Sequence, residues 1–154
     1  AHHLCGPATL SVGLISGGSS VNVVPDYCEI DIDRRLLPGE TGLNARSEII
    51  SYLGARLPFE VDHLEPYCLS SALGDDLNSM LANELMKSIR TIDGEHSVIG
   101  VPYGTHASRI AAAGIPAVVF GPGDIAQAHT KDEWIEISQL HKATDIYYQF
   151  ASQQ

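Results

Sequence analysis

The stretch "CEIDIDRRL", Cys28–Leu36, decides the fold of the first half of the chain, because its apolar and charged residues alternate with a period of two. Such alternation is typical of a half-buried antiparallel strand, which turns one face to a core and the other to water. The β-rich stretch "TLSVGLIS", Thr9–Ser16, lies before it, beyond the break at "GGSS". We therefore expect these two stretches to pair as neighbouring antiparallel strands.

A helix and a further strand are predicted next. After the turn "LPGE", the segment Thr41–Arg56 places most of its apolar residues on one helical face, with Thr41 as a cap and Pro58 as a stop. "FEVDHLEP", Phe59–Pro66, alternates again and indicates another strand. The resulting β-β-α-β order is that of an incomplete two-layer α+β unit with an antiparallel, ferredoxin-like sheet, which needs one more strand and helix in front.

The second half combines strands and helices in a different order. Helices are predicted from Gly74 to about Arg90, around "HASRIAAAG", and from Ile137 to Phe150, with strands at "SVIGV" and "IPAVVF" between them. Strands that alternate with helices indicate a parallel α/β sheet. The change of pattern predicts a boundary in "LSSALG", Leu69–Gly74, and hence two parts, residues 1–70 and 71–154.

The composition restricts the class of partner. A formal net charge of −10 argues against nucleic acids and anionic membranes, because the field of the protein would repel both. The three cysteines are widely spaced without a CxxC motif, which indicates neither a disulfide framework nor a zinc ribbon and fits a reducing cytoplasm. No apolar run reaches the roughly 18 residues of a membrane span. Small polar substrates remain possible.

The loop "GPGDIAQAHTKDEW", Gly121–Trp134, contains the first candidate for chemistry. If the apolar run before it is a strand, the loop lies at the carboxyl end of that strand, where open α/β sheets bind ligands. His129 could ligate a metal ion, which would require further ligands, or could be an ordinary surface histidine. Asp132 and Glu133 are near enough to contribute, but they could equally form the acidic first turn of the next helix.

Arg35 is the second candidate. In an alternating strand Arg34 and Arg35 point to opposite faces, so one of them faces the side away from the apolar residues. A guanidinium group on a rigid strand is suited to a bidentate contact with a carboxylate. The alternative is a solvated arginine that pairs with Asp31 or Asp33.

Two segments of the chain, "TLSVGLISGGSSVNVVPDYCEIDIDRRLLPGE" and "YGTHASRIAAAGIPAVVFGPGDIAQAHTKDEW", together resemble the acetylornithine deacetylase, succinyl-diaminopimelate desuccinylase and aminoacylase family of metallopeptidases. The most specific features are GG-x(3)-N-x-x-P leading to D-x-R-x-x-P-G-E, and a strand followed by GPG and a histidine. The resemblance implies a two-lobed enzyme with two metal ions (zinc, or cobalt or manganese) in its catalytic domain and a smaller lid that mediates dimerisation. Residues 1–70 would be the rear of the lid, and residues 71–154 the end of the catalytic domain.

The resemblance also implies roles for individual residues. His129 is similar to the last metal ligand of the family, and Arg35 to a lid arginine that binds the substrate carboxylate. Asn22 is similar to a lid residue that reaches the substrate in the partner subunit. Thr105 and Gly123 match loop positions that line the substrate pocket.

Two departures from the family pattern limit these implications. His106 in "YGTHASR" stands where many relatives carry an acidic residue; at a helix start it could contact a ligand or cap the helix. The other metal ligands of the family and its general base, a glutamate, have no match here, so we assign no catalytic residue to this chain. The sequence is therefore interpreted as the carboxyl-terminal part of a longer enzyme, and we expect it to bind no metal and to be inactive alone.

The reaction implied by the resemblance is hydrolysis of the amide of an N-acyl amino acid. Two metal ions would polarise the carbonyl group and lower the pKa of a bridging water. The loop at His129 is most similar to that of acetylornithine-deacetylase-type members. Succinyl-diaminopimelate desuccinylase and aminoacylase or dipeptidase activities remain alternatives, as does a non-catalytic dimerisation or binding module.

Overall fold

The computed structural model describes residues 1–153, which divide into two compact units. Unit 1 contains Ala1–Ala72 and Gly100–Gly104; unit 2 contains Leu73–Ile99 and the chain from Thr105 onward. None of the helices in the described residues has the length and apolar character needed to cross a membrane. The interpretation of residues 1–70 as a lid and 71–154 as part of a catalytic domain stays a prediction.

Unit 1 contains the sheet, which consists of two antiparallel strands. Strand β1 (Leu10–Gly17) pairs with strand β2 (Cys28–Arg34), as the β-rich sequence of the first and the alternation of the second predict. The strand ladder continues for one further bond, in which the Arg35 N–H donates to the Thr9 carbonyl at 2.9 Å. The expected pairing of the two strands is therefore confirmed.

A bulge in β1 aligns the apolar residues of the sheet. Val12 lies opposite Ile32 and Ile15 lies opposite Ile30, although an odd spacing of three residues in β1 would normally put Val12 and Ile15 on opposite faces. The register shifts around Gly13, and this extra residue returns both side chains to one face. Val12 and Ile15 of β1 are nevertheless 54% and 73% exposed. In β2, for which a half-buried strand was expected, Ile30 is 47% exposed and Ile32 is partly buried.

Helix α1 (Gly42–Gly54) begins where the sequence predicts. The Thr41 hydroxyl accepts a hydrogen bond from the Asn44 N–H at 3.2 Å, which satisfies one of the backbone donors that every helix start leaves unpaired. The helix ends two residues earlier than expected. Among residues 1–153, α1 does not pack extensively against β1 or β2, so it does not cover the sheet.

The prediction of a strand at Phe59–Pro66 is wrong, since none of these residues is in a strand. The Arg46 guanidinium of α1 instead donates to the His63 carbonyl at 2.8 Å and contacts the Glu65 carboxylate at 3.1 Å. Alternation describes the two faces of a segment, but a strand also requires a neighbouring backbone to pair with. In this segment the Arg46 side chain, rather than a neighbouring strand, bonds to the backbone.

Unit 2 is built on the packing of two helices. Helix α2 (Ser79–Asp93) packs against helix α4 (Ile137–Ala151), and Leu85, Ile89 and Ile146 form the buried centre of the contact. An exposed ion pair between Lys142 on α4 and Asp93 at the end of α2 joins the helices, and the Lys142 ammonium lowers the pKa of the Asp93 carboxyl.

A short helix, α3 (Ala107–Ala112), and a 3-10 turn at Ile125–Gln127 complete unit 2. The predicted strands at residues 97–101 and 115–120 do not form in the described part of the chain, so the expected parallel sheet is wrong. Side chains hold the second segment instead. The Ala117 N–H donates to Asn78 Oδ1 at 2.7 Å, and the Tyr147 hydroxyl donates to the Phe120 carbonyl at 2.8 Å. An apolar run predicts packing, but it does not identify the partner.

The turn after β2 is closed by Glu40. Its carboxylate accepts a hydrogen bond from the Leu37 N–H at 2.8 Å and pairs with the Arg34 guanidinium at 3.2 Å. These two contacts, the backbone bond first, hold the pKa of the Glu40 carboxyl below its usual value of 4.5. The ionised carboxylate therefore stabilises the folded turn.

We predict that Glu40 makes the stability of the chain depend on pH below about 4.5. A carboxyl whose pKa is lower in the folded state contributes stability above its unfolded pKa and loses it as the pH falls through the folded pKa. In urea unfolding, the midpoint of Glu40→Gln should lie below that of the unmodified chain near neutral pH and should fall less on acidification. Glu60→Gln, at an exposed position, is the control. Equal pH slopes for the unmodified chain and Glu40→Gln would contradict the prediction.

Candidate functional site

The loop from Gly121 to Trp134 contains two residues with left-handed backbone. Gly123 has φ 101° and His129 has φ 61°, and His129 is the residue other than glycine that adopts a positive φ in residues 1–153. Between them, Asp124 caps the 3-10 turn by accepting a hydrogen bond from the Ala126 N–H at 2.9 Å. Positive φ is rare for residues with a side chain and persists where neighbouring groups hold it.

Two side chains bond to the backbone at these two residues. The Gly123 N–H donates to Gln139 Oε1 at 2.9 Å, and the His129 N–H donates to Glu133 Oε2 at 3.2 Å. The imidazole ring of His129 is exposed and makes no hydrogen bond or ion pair with another described residue. Its nitrogens are therefore available to a ligand or a metal ion.

His129 alone does not form a metal centre. In the described residues, no group of three His, Cys, Asp or Glu side chains that includes His129 brings its ligand atoms within 4.8 Å of one another. An exposed imidazole fits one position of a zinc-type site, because such sites use histidine nitrogen. The remaining ligands would have to come from outside this loop.

Asp132 and Glu133 are not the first turn of the next helix. Helix α4 begins at Ile137, and its first turn contains no acidic residue, so the interpretation of these acids as partners of the helix dipole is wrong. The Glu133 carboxylate contacts the backbone of His129 instead. Acidic residues in the first turn of a helix and acidic residues in the loop before it give the same sequence pattern. The pattern therefore does not show where the helix begins.

Thr105, rather than His106, makes the hydrogen bonds at the start of α3. For His106 the sequence left two alternatives, a ligand contact or a helix cap. The Thr105 hydroxyl accepts a hydrogen bond from the Ala107 N–H at 3.2 Å, and the Thr105 carbonyl accepts one from the Ser108 hydroxyl at 3.2 Å. His106 stands at the N-cap position but makes no side-chain capping bond, so that alternative is wrong. The Thr105 hydroxyl still has its own proton to donate.

The two arginines at the end of β2 lie in different surroundings. The Arg34 side chain is 19% exposed and pairs with Glu40, whereas the Arg35 side chain is 52% exposed and pairs with Asp33 at 2.8 Å. Arg35 follows Asp33 at a spacing of two, so it lies on the face opposite Ile32. Exposed ion pairs contribute little to stability, so the Arg35 guanidinium can exchange Asp33 for another carboxylate at small cost.

Asn22 lies in the exposed loop between β1 and β2. The Ser20 hydroxyl donates to Asn22 Oδ1 at 2.5 Å, and the Val23 N–H donates to the Ser20 carbonyl at 3.3 Å. The amide NH₂ group of Asn22 is not used in these bonds. Asn22 and Arg35 thus belong to unit 1, whereas Thr105, Gly123 and His129 belong to unit 2.

Sequence analysis missed one residue of the site, Gln139. It is the third residue of α4, a position from which glutamine side chains often reach back to the backbone N–H at a helix start. Here the acceptor reaches further, to Gly123 in the preceding loop. A glutamine at this position after a glycine-rich loop was the signal that could have identified it.

Comparison with known proteins gives consistent matches. The family model described as peptidase family M20/M25/M40 matches residues 5–153. Acetylornithine deacetylase from Myxococcus xanthus is 28% identical over 132 residues, which cover 86% of this chain and 34% of that protein. N-acetyl-L-citrulline deacetylase from Xanthomonas campestris pv. campestris is 30% identical over 135 residues, covering 86% and 36%.

A putative succinyl-diaminopimelate desuccinylase from Mycobacterium tuberculosis is 28% identical over 138 residues, covering 89% of this chain and 36% of that protein. The chain therefore spans about a third of the length of the curated relatives that it matches.

Proposed function

This chain belongs to the peptidase family M20/M25/M40, and from that membership we propose that it is one part of a longer, metal-dependent amidohydrolase that deacylates N-acyl amino acids. The observation that carries the proposal is the family match, which runs from residue 5 to residue 153 and so includes both units. Relatives named as deacetylases of acetylornithine and of N-acetyl-L-citrulline support an acetyl group as the acyl group. The relative named as a desuccinylase keeps succinyl-diaminopimelate as an alternative substrate, and aminoacylase or dipeptidase activity also remains open.

In this proposal His129 holds a metal ion. Its exposed ring and the backbone bond from its N–H to Glu133 support this role, because the bond leaves both ring nitrogens to the solvent. Two ions of zinc, cobalt or manganese would be bound by the longer protein, where they would polarise the amide carbonyl and activate water. The other ligands and the general base would come from the rest of that protein.

Four further residues bind the substrate in this proposal. Arg35 exchanges Asp33 for the substrate carboxylate, for which its fork of N–H donors is suited. The amide of Asn22 donates to a substrate bound by the partner subunit of a homodimer. In unit 2, the Thr105 hydroxyl donates its free proton, and the absence of a side chain at Gly123 lets the substrate approach the loop backbone.

The homodimer would form through unit 1. Each strand of its two-stranded sheet has an open edge, and an edge-to-edge contact would pair backbone groups that an open edge leaves to water.

A net charge of −10 supports a small-molecule substrate rather than a nucleic acid or a membrane surface. The proposed location is the cytoplasm, because the free cysteines Cys5, Cys28 and Cys68 fit a reducing compartment.

We predict that His129→Ala in the longer protein removes metal and most of the hydrolase activity. His141→Ala is the matched control, because His141 is another exposed histidine of unit 2. Elemental analysis after dialysis measures the bound metal, and release of acetate from N-acetyl amino acids measures activity. Unchanged metal content in His129→Ala would contradict the proposed role.

The same measurements on the 154-residue chain test the non-catalytic alternative. We expect it to bind no stoichiometric metal and to hydrolyse no N-acyl amino acid, because a zinc-type site needs more ligands than His129 supplies. If the longer protein also lacks metal and activity, the dimerisation or binding module is the better interpretation. Metal that the 154-residue chain retains tightly, and that His129→Ala removes, would show that the ligand set is misassigned.

We predict that Arg35→Ala in the longer protein lowers kcat/KM for an N-acyl amino acid by an amount that corresponds to roughly 2 kcal/mol of transition-state stabilisation. This is the lower end of the range for truncating one partner of a buried charge pair, because the Arg35 side chain is 52% exposed. The loss should disappear for the corresponding substrate carboxamide, which has no carboxylate. Arg56→Ala, at an exposed arginine that stacks on Tyr52 in the same unit, is the control. Unmodified kinetics for Arg35→Ala on the acid substrate would contradict the assignment.

We predict that the longer protein is a dimer at micromolar concentration. Sedimentation equilibrium measures the mass directly, and the mass of two chains is the expected result. A single-chain mass over the micromolar range would contradict dimerisation through unit 1.

A further inference from the structure

We propose that Glu133 and Gln139 are positioning residues, which orient the His129 side chain by accepting hydrogen bonds from the backbone at the two left-handed residues of its loop. The inference concerns the same site and rests on the proposed role of His129 as a metal ligand. It adds two residues that touch neither substrate nor metal. Both act through the loop backbone.

Glu133 holds the conformation of His129 itself. At φ 61° the backbone of a residue with a side chain is strained, and it persists only where its surroundings over-determine it. The His129 N–H donates to a side-chain oxygen of Glu133 at 3.2 Å, and carboxylate acceptors form stronger hydrogen bonds than neutral ones. Since the direction of the imidazole depends on the backbone of His129, loss of this bond would let the ring turn away.

Gln139 connects the other end of the loop to a rigid element. It lies in the first turn of α4, and its Oε1 accepts from the Gly123 N–H at 2.9 Å. Two turns further along α4, Ile146 is buried in the core, and the Tyr147 hydroxyl donates to the Phe120 carbonyl at 2.8 Å. The start of the loop is therefore attached to one helix at two points.

The hydrogen bond at His129 involves its backbone and leaves its imidazole ring without a bond to a described residue. Glu133 contacts the backbone N–H of His129, and no described residue bonds the ring. If Glu133 were a direct ligand beside His129, its carboxylate would be needed at the metal. As a positioning residue it can keep its backbone bond while the ring binds, in the manner of groups that orient metal ligands.

Matched variants separate the backbone bond from side-chain chemistry. Glu133→Ala and Gln139→Ala remove the acceptors, whereas Glu133→Gln and Gln139→Glu keep an acceptor oxygen. Asp132→Ala is the control, since Asp132 is an exposed neighbouring acid without a bond to the loop backbone. All five variants are made in the longer protein.

The first readout is hydrogen–deuterium exchange of peptides covering residues 121–134 in the metal-free protein, and it does not depend on catalysis. We expect faster exchange in both alanine variants, near-normal exchange in Glu133→Gln and Gln139→Glu, and no change in Asp132→Ala. Global melting temperatures should stay unchanged. Exchange equal to that of the unmodified protein in both alanine variants would overturn the proposal.

The second readout is the affinity for Zn²⁺, measured by competition with a chelating dye. We expect about a 10-fold loss or more in the alanine variants and recovery in the conservative variants, as for other groups that orient metal ligands. Equal loss in Glu133→Ala and Glu133→Gln with normal exchange would overturn the proposal, because it would make Glu133 itself a ligand. Faster exchange in Glu133→Ala and Gln139→Ala would support the role of the two backbone bonds in holding the loop. If the metal content of His129→Ala were unchanged at the same time, the proposed function would be rejected.

Discussion

The packing of α2 against α4 is the contact on which the arrangement of unit 2 depends. Leu85 and Ile89 of α2 meet Ile146 of α4, and the removal of their apolar surface from water stabilises the helix pair. Each helix then holds part of the segment that leads to His129. Asn78, immediately before α2, bonds to Ala117 in that segment. Contacts from α4 and from the start of α2, rather than a strand, therefore hold the segment that leads to the loop.

Asn78 shows how a buried polar side chain can replace a sheet. Its amide is almost fully buried, and it uses both of its functional groups: Oδ1 accepts from the Ala117 N–H, and Nδ2 donates to the Gly74 carbonyl at 2.5 Å. Burial of an amide is costly unless such bonds are made. The satisfied amide therefore selects one position for the segment relative to α2, which apolar contacts alone would not do.

The elements predicted correctly from sequence are those with local causes. The β-rich sequence of β1, the alternation in β2 and the cap at Thr41 depend on residues close together in the chain. The strand pairing and the helix start predicted from them are confirmed. The strands expected at residues 59–66 and 115–120 depend on a partner backbone, which no local pattern can supply. For the site, the glycine-rich loop and the glutamine at the third position of the next helix were recognisable. The partner of Gln139, which is Gly123, lies 16 positions earlier and could not be predicted from a local pattern.

Arg34 and Arg35 at the end of β2 are adjacent and chemically identical, yet they make different contacts. The alternation of the strand directs Arg34 to the apolar face and Arg35 to the opposite face. On the apolar face the guanidinium is half-buried and must be paired, and Glu40 in the following turn provides the carboxylate. Arg34 is thus held by Glu40, whereas Arg35 extends from the same strand end with an exposed partner that it can give up. Because this resting contact is weak, a guanidinium in the position of Arg35 can bind a carboxylate ligand with little loss of its own contacts.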